Sequence, residues 1–171
     1  MSWRIGLVSA LLGAAPITWA QQPHILGTWT LNAAASRLPG PAPRVHVRRY
    51  SLAPDGTLVG LAVIVASNGQ PDFLQFAAKA DGKDYPEFNS AALAALQIDG
   101  TPPRGAYSET TVDSHTVEWI DKYDGQITVR GRKWVSEDGN TLSFTVEATS
   151  PQGEPSSFLF VFDRTDSAAP R

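Results

Sequence analysis

The stretch TVEWIDKYDGQITVRGRKWVSEDGNTLSFTVEAT, residues 116–149, decides the fold class. It holds three runs rich in Val, Ile, Thr, Phe and Trp, separated by Asp124-Gly125 and by the loop 137–140. β-branched and aromatic residues suit a pleated, half-buried surface, and Asp-Gly between two such runs is a strong signal for a tight hairpin turn. The stretch therefore predicts three antiparallel strands joined by short turns.

The same pattern extends in both directions from this stretch. Turn signals recur at Pro54-Asp55-Gly56, Asn68-Gly69, Asp81-Gly82, Asp113-Ser114 and Gln152-Gly153. Strands are predicted at residues 26–32, 44–52, 57–66, 72–79, 105–112, 116–123, 126–135, 141–149 and 157–164. The sequence thus predicts an all-β fold, an antiparallel up-and-down meander of about eight to nine strands.

Two segments interrupt the meander. Residues 33–43 are rich in proline, which cannot donate to a strand ladder, and are predicted to form a long loop. Residues 84–103 form a short helical or loop insert, in which Ser90–Leu96 is either two turns of helix capped by Ser90 or an apolar flap. Because the apolar residues of this insert need a surface to pack on, we expect them to lie across one end of the sheet.

The register of the central hairpin can be worked out from its turn. A two-residue turn at Asp124-Gly125 pairs Tyr123 with Gln126, and an unbroken ladder then pairs Ile120 with Val129 and Trp119 with Arg130. The four-residue loop that follows places Val135 opposite Leu142. The predicted core face carries Ile120, Ile127, Val129, Val135, Leu142, Phe144 and Val146, with Glu118, Lys122 and Lys133 near its ends. The predicted outer face carries Trp119, Asp121, Tyr123, Thr128, Arg130, Arg132 and Trp134.

The first 20 residues are typical of a secretory signal peptide. Arg4 precedes an apolar run from Ile5 to Ala15, and Thr18-Trp19-Ala20 supplies the small residues of a cleavage site. The run is too short to cross a bilayer, so no stable membrane insertion is expected. The prediction is a periplasmic or secreted protein, cleaved near Ala20, in which residues 21–171 form a single domain.

Composition excludes several function classes. The chain has no Cys, which rules out disulfides and thiol chemistry, and its net charge of −3 gives little attraction for nucleic acid. The one basic cluster places Arg44, His46 and Arg48 on one face of a strand and Arg49 on the other. That face is either solvated or a site for an anionic ligand, and the first interpretation is favoured.

The strand that begins Gly27-Thr28-Trp29 resembles the Gly-x-Trp signature of the lipocalins and related calycins. Arg164, after the last predicted strand, stands where that family places an arginine that packs on the tryptophan. The chain is also similar to a group of exported bacterial lipocalin-like proteins over residues 26–164. The resemblance implies a small lipocalin-like barrel, a buried Trp29 under Arg164, and an apolar ligand. The missing disulfide and the insert at 84–103 depart from the lipocalin pattern.

No metal, cofactor or nucleophile motif is present in the sequence. The three histidines, His24, His46 and His115, lack a His or Cys at metal-ligand spacing, so neither a metal nor a cofactor is expected. Asp113-Ser114-His115 is interpreted as a turn. Asp121, Tyr123 and Arg130 are the only catalytic candidates, as acid, base and oxyanion partner, although the predicted register turns them outward.

The leading hypothesis is a carrier of a small apolar molecule inside the barrel or under the insert, since about eight strands enclose room for one small ligand. The candidate ligand-binding residues are Phe73, Phe76, Tyr85, Leu93, Leu96, Tyr107, Phe144, Phe160 and Phe162. Packed core is the competing interpretation of these residues. The alternatives are an isomerase, cyclase or lyase on the same barrel, or an interaction module that docks through Trp119 and Trp134. Ionisable groups in a cavity would favour the enzyme, a dry cavity the carrier, and a filled barrel the interaction module.

Overall fold

A computed structural model describes residues 24–149 and 153–165 of the chain; the predicted signal peptide lies outside these residues. Ten strands and one helix form in this part of the chain. The strands are β1 Gly27–Leu31, β2 Val45–Leu52, β3 Leu58–Val65, β4 Pro71–Ala78, β5 Tyr85–Asn89, β6 Gly105–Thr111, β7 Thr116–Tyr123, β8 Gln126–Val135, β9 Thr141–Thr149 and β10 Pro155–Arg164. The helix α1, Ser90–Asp99, lies between β5 and β6.

The strands form a closed up-and-down barrel. Each strand pairs antiparallel with its neighbours in sequence, and β1 closes the barrel by pairing with β10, with Trp29 opposite Arg164 and Leu31 opposite Phe162. This architecture matches the lipocalin-like description and confirms the predicted fold class. No helix among the described residues is long and apolar enough to span a membrane.

The tenth strand, β5, falls within the segment predicted to be an insert. Its sequence YPEFN conceals it, because a proline normally marks the end of a strand. The strand tolerates Pro86 because its first half pairs with β6 and its second half, from Glu87 onward, pairs with β4. Among these pairs, Pro86 pairs with β6 and has no partner on β4. Its missing N–H therefore removes no hydrogen bond to β4.

The helix α1 is longer than the sequence indicated and has a different cap. Asn89, not Ser90, is the N-cap, and its side chain accepts a hydrogen bond of 2.9 Å from the Ala92 amide. Gly100 ends the helix with a φ of 73°. The helix packs beside β4 and β5 and leaves Leu93 38% and Leu96 40% exposed. It lies at one side of the barrel end and does not bury these two residues there.

A β-bulge in the central hairpin overturns part of the predicted register. Tyr123 pairs with Gln126 and Val135 with Leu142, as predicted. However, Asp121 pairs with Val129 and Lys122 with Ile127, which leaves Thr128 without an opposite residue. Ile120 therefore pairs with Arg130, and the predicted pairs of Ile120 with Val129 and Trp119 with Arg130 are wrong. One extra residue on a strand reverses the faces beyond it.

The bulge turns Trp119 and Asp121 into the barrel, so their predicted outer position is wrong. Trp119 is 8% exposed and lies opposite Gly131. The missing side chain of Gly131 matters, because a Cβ there would lie 1.9 Å from the Thr145 carbonyl oxygen and 2.9 Å from the indole of Trp119. Ile120 and Ile127, predicted on the core face, lie on the outer face instead, and Ile127 is 48% exposed. The predictions for Val135 and Phe144, which are buried, and for Arg130 and Arg132, which are exposed, hold.

One end of the barrel is sealed by Trp29 and Arg164, as predicted. Trp29 is fully buried, and the Arg164 guanidinium lies 4.1 Å from its ring centroid. The same guanidinium donates to the carbonyl oxygens of His24, Leu26 and Gly139, at 2.6 to 2.8 Å. We call this the closed end.

The opposite end, which carries α1 and the Asp124-Gly125 turn, is less well packed, and we call it the open end. Interior residues near the closed end are almost fully buried, as shown by Leu58 at 1% and Leu142 at 0% exposure. Further along the same strands, Ile64 and Val146 are only partly buried. The gradient places the accessible route to the interior at the open end.

Candidate functional site

The centre of the barrel holds a cavity of about 30 Å³. Since a cavity needs about 10–15 Å³ to hold one water, this space fits about two or three water-sized groups. Its walls combine aromatic rings with four charged side chains. The lining residues are Arg48, Tyr50, Leu74, Phe76, Glu87, Tyr107, Trp119, Asp121, Lys133 and Phe144.

The side of the cavity nearer the closed end is a buried ion pair. The Lys133 ammonium donates to Glu109 Oε2 at 2.7 Å and to the Tyr107 hydroxyl at 2.8 Å. The side chain of Lys133 is 5% exposed and that of Glu109 is 2% exposed. Tyr107 donates its hydroxyl proton to the same Glu109 oxygen. Burial, followed by the Glu109 charge, raises the pKa of Tyr107 well above its usual value. The phenol therefore stays neutral and the three groups satisfy one another.

A second polar group comes from β2. Arg48 Nε donates to His46 Nε2 at 3.3 Å and its NH1 to the Tyr50 hydroxyl at 3.3 Å. The guanidinium also lies 4.5 Å from the centroid of the Phe144 ring. Burial and the Arg48 charge lower the pKa of His46 to about 3, so the imidazole is neutral and accepts from Arg48. The predicted solvated face of β2 is thus wrong at His46, which is 6% exposed inside the barrel.

The third group, the carboxyl pair of Glu87 and Asp121, is the least satisfied part of the site. Burial and the Asp121 charge raise the pKa of Glu87 to about 8, and burial raises that of Asp121. The two side chains interact directly, and near neutral pH the proton is held by Glu87. Glu87 Oε2, Asp121 Oδ1 and the Trp119 indole Nε1 are buried atoms with no hydrogen-bond partner in the described part of the chain.

Buried polar atoms are rarely left unpaired, because each costs about 1–3 kcal/mol. Here the three residues that carry two unpaired oxygens and one unpaired N–H donor line the same cavity. The arrangement is therefore suited to a bound group that donates hydrogen bonds to the carboxyl pair and accepts one from the indole.

The predicted catalytic candidates are not assembled into one site. Asp121 lines the cavity, and Tyr123 follows it on the same face of β7 but is 50% exposed at the open end. The Arg104 guanidinium lies 4.7 Å from the centroid of the Tyr123 ring. Arg130 is exposed on the outer face of β8.

Six of the predicted ligand-binding residues lie inside the barrel. Phe76, Tyr107 and Phe144 border the cavity. Phe160 stacks on Phe144 with ring centroids 5.0 Å apart, whereas Phe162, with no exposure, belongs to the packed closed end.

Tyr85 shares the inward face of β5 with Glu87 and packs against the core, and its hydroxyl donates to Asp81 at 3.0 Å toward the closed end. The other three lie elsewhere. Phe73 alternates with Leu74 and therefore occupies the outer face of β4. Leu93 and Leu96 lie on α1 beside the open end.

The sequence interpretation missed Arg48, Glu87, Trp119 and Lys133 as members of one cavity. Glu87 was missed because its strand, β5, lies in the segment predicted to be an insert. Trp119 was missed because the bulge in β8 reverses its predicted face. Arg48 and Lys133 did stand at inward positions by alternation, but a charged residue at such a position is normally assigned to a solvated face.

A smaller cavity of about 20 Å³ lies at the closed end. His24 and His115 stack there with ring centroids 4.4 Å apart, and the Lys133–Glu109 pair separates this space from the central cavity. Asp113 accepts from the His115 amide at 2.8 Å, which confirms the predicted turn. The described residues contain no group of three or more His, Cys, Asp or Glu side chains that could hold a metal.

Comparisons with known proteins add little to this geometry. No protein-family model matches the sequence, and no curated protein matches it. Among solved structures, the chain is similar to the crystal structure of the wild-type fluorescent protein UnaG, at 14% identity and a TM-score of 0.49. The match covers 82% of this chain and 96% of that one. A likeness at this level carries no argument about function, so the site has to be interpreted from its own residues.

Proposed function

We propose that this protein is exported and binds a small molecule inside its barrel. The observation that carries the proposal is the central cavity, where Glu87, Asp121 and Trp119 each present a buried polar atom without a partner. Three such atoms around one space are costly unless an occupant satisfies them. Phe76, Phe144 and the other rings of the wall supply apolar surface for the body of the ligand.

The open end is the proposed entrance. Leu74, which lines the cavity, and Phe160, which stacks on the cavity residue Phe144, are only partly buried. Leu93 and Leu96 of α1 stand beside this route with about two fifths of their surface exposed. A double substitution, Leu93→Asp with Leu96→Asp, should therefore weaken ligand binding at least tenfold, or about 1.4 kcal/mol, and leave the β-rich circular dichroism spectrum in place. Unchanged binding would place the entrance elsewhere.

A cavity-filling variant tests the binding proposal. Leu74→Trp adds an indole at the cavity wall, whereas Phe73→Trp makes a comparable change at the next residue, on the outer face of β4. Native mass spectrometry of protein from the exported fraction should show a bound small molecule in the parent and in Phe73→Trp but not in Leu74→Trp. If all three carry the same molecule, or none carries one and none binds added N-phenyl-1-naphthylamine, the proposal is wrong.

Export is tested separately by N-terminal sequencing. Protein recovered from the periplasm or medium should begin at Gln21, because Thr18 and Ala20 supply the small residues that precede the cleaved bond. An intact Met1 in the membrane fraction would contradict the proposal and would indicate an anchor instead.

A second candidate function is an enzyme that transfers a proton to or from its bound ligand. The observation that favours it is the carboxyl pair, since the cavity holds ionisable groups and the two carboxyls have different raised pKa values. Two such groups are suited to act as acid and base. If the pair exchanges protons with carbon, the bound molecule should gain deuterium when the protein is kept in heavy water, and Asp121→Asn should abolish that gain.

A further inference from the structure

The cavity differs from a plain apolar pocket in the balance of its charges. The cations that face it are Arg48 from β2 and Lys133 from β8, and the acidic groups are Glu87 from β5 and Asp121 from β7. Tyr50, Tyr107 and the Lys133 partner Glu109 are the other titratable groups nearby. When Glu87 holds its proton, the two cations are balanced by Asp121 and Glu109, and the site is neutral.

Both cations are directed away from the carboxyl pair. The Lys133 ammonium bonds Glu109 and Tyr107, and two nitrogens of Arg48 bond His46 and Tyr50. Their charges influence Glu87 and Asp121 over a distance, but they do not supply the missing hydrogen bonds. Glu87 Oε2 and Asp121 Oδ1 thus lack donors, and Glu87 carries an acidic proton that can be displaced.

The wall beside the pair is open on β6. Gly105 lies opposite Glu87, and Tyr107 lies opposite Asp121. A Cβ on Gly105 would stand 3.7 Å from the Glu87 Cβ and 4.0 Å from its Oε1, at van der Waals distance. Gly105 therefore presents no side chain to Glu87 at this position.

We propose that the ligand carries a protonated primary amine, which binds between Glu87 and Asp121 and displaces the proton of Glu87. This inference rests on the proposed ligand-binding function. The ammonium donates to Glu87 Oε2 and Asp121 Oδ1, and the proton that leaves Glu87 passes to solvent, so the cavity stays neutral. The cavity volume fits an ammonium and the first part of its chain, while the rest of the ligand extends toward the open end.

The Trp119 indole provides a second, independent contact. Trp119 is only 8% exposed and lines the cavity, and its buried Nε1 has no hydrogen-bond partner among the described residues. Because the indole only donates, it needs an acceptor on the ligand. The expected ligand class is thus an amine with a nearby hydroxyl or carbonyl oxygen and an apolar body. An anionic head group is disfavoured, since it would meet the Asp121 charge and the unpaired acceptor oxygens of Glu87 and Asp121.

The test compares three probes of one chain length, n-hexylamine, 1-hexanol and hexanoate, by calorimetry at pH 7 in phosphate and in HEPES. The difference between buffers gives the number of protons released. We expect hexylamine to bind at least tenfold more tightly than the other two and to release roughly one proton per molecule bound. The Trp119 indole N–H resonance should shift when it binds.

Two variants and a control complete the experiment. Glu87→Gln should abolish proton release and weaken hexylamine at least tenfold, and Asp121→Asn should weaken it similarly. Glu118→Gln removes a half-exposed carboxylate on the outer face of the same strand as Asp121, where it pairs with Arg132, and should change neither quantity. Circular dichroism identifies any variant that fails to fold.

The outcomes separate this inference from the function on which it rests. If hexanol binds as tightly as hexylamine, or if hexylamine binds without releasing a proton, the inference is wrong while ligand binding in the cavity stands. The same holds if hexanoate binds best. If none of the three probes binds and the Leu74→Trp variant also behaves as the parent in native mass spectrometry, both are wrong.

Discussion

Removing the ammonium of Lys133 tests whether the barrel interior depends on its buried charges. Lys133→Met keeps most of the side-chain volume but takes the ion-pair partner from Glu109, whose side chain is 2% exposed. Breaking a buried pair in this way costs about 3–5 kcal/mol, because the remaining charge stays out of water. The lost hydrogen bond to Tyr107 is part of the same figure.

This cost is large for a domain of this kind, since folded domains are stable by only about 5–15 kcal/mol. Urea unfolding followed by tryptophan fluorescence measures the loss as a lower midpoint with an unchanged slope. A second variant separates charge from packing. Adding Glu109→Gln to Lys133→Met removes the stranded carboxylate and keeps an acceptor for Tyr107, so at least half of the lost stability should return.

The reasoning would be refuted by a Lys133→Met variant within about 1 kcal/mol of the parent, since surface pairs are worth that little. It would fail equally if the double variant were no more stable than Lys133→Met alone. Lys83→Met is the matched control, because Lys83 forms an ion pair with Asp81 while its own side chain is 77% exposed. That change should cost no more than about 1 kcal/mol.

Three further predictions concern stability. Trp29→Ala should cost about 3–5 kcal/mol, visible as a lower melting temperature, because the indole is fully buried; an unchanged melting temperature would contradict its role at the closed end. Gly131→Ala should cost about 1–3 kcal/mol through the close approach of a Cβ to a carbonyl, whereas Gly40→Ala, with nothing within 4 Å, should be neutral in the same urea titration. The His46 contribution to stability should fall as pH drops from about 6.5 toward 3, where unfolded but not folded His46 takes up a proton, and His46→Gln should remove it. The Glu87 contribution should fall as pH rises from about 4.5 to 8, where unfolded but not folded Glu87 ionises, and Glu87→Gln should remove it. The two contributions oppose each other between about pH 4.5 and 6.5, so their losses show below and above this range; a profile unaltered by either substitution would contradict the assignment.

Local chemistry explains why so much of the fold could be predicted. Turn residues and alternating apolar runs act over a few neighbours, so the strands around Asp124-Gly125 and the pair of Val135 with Leu142 followed from the sequence. The contact of Trp29 with Arg164 spans nearly the whole chain, and it was predicted only through the lipocalin resemblance.

The candidate site was much harder to predict, because it depends on small shifts between strands. One bulged residue, Thr128, decides whether Trp119 and Asp121 face the interior or solvent, and nothing in the local sequence marks it. Glu87 enters the cavity from a strand whose proline made it resemble a loop. A charged side chain at an inward position is interpreted as solvated until its partner on another strand is known.

The sequence by itself determined the class of the molecule: an all-antiparallel meander and its turns. Those features depend on backbone preferences and on the alternation of side chains, both of which are local. Only the tertiary structure decided that Lys133 meets Glu109 and that two carboxyls face one cavity. Closing ten strands into a barrel brings together side chains far apart in sequence, and the desolvation that gives them unusual pKa values exists only once the barrel has closed.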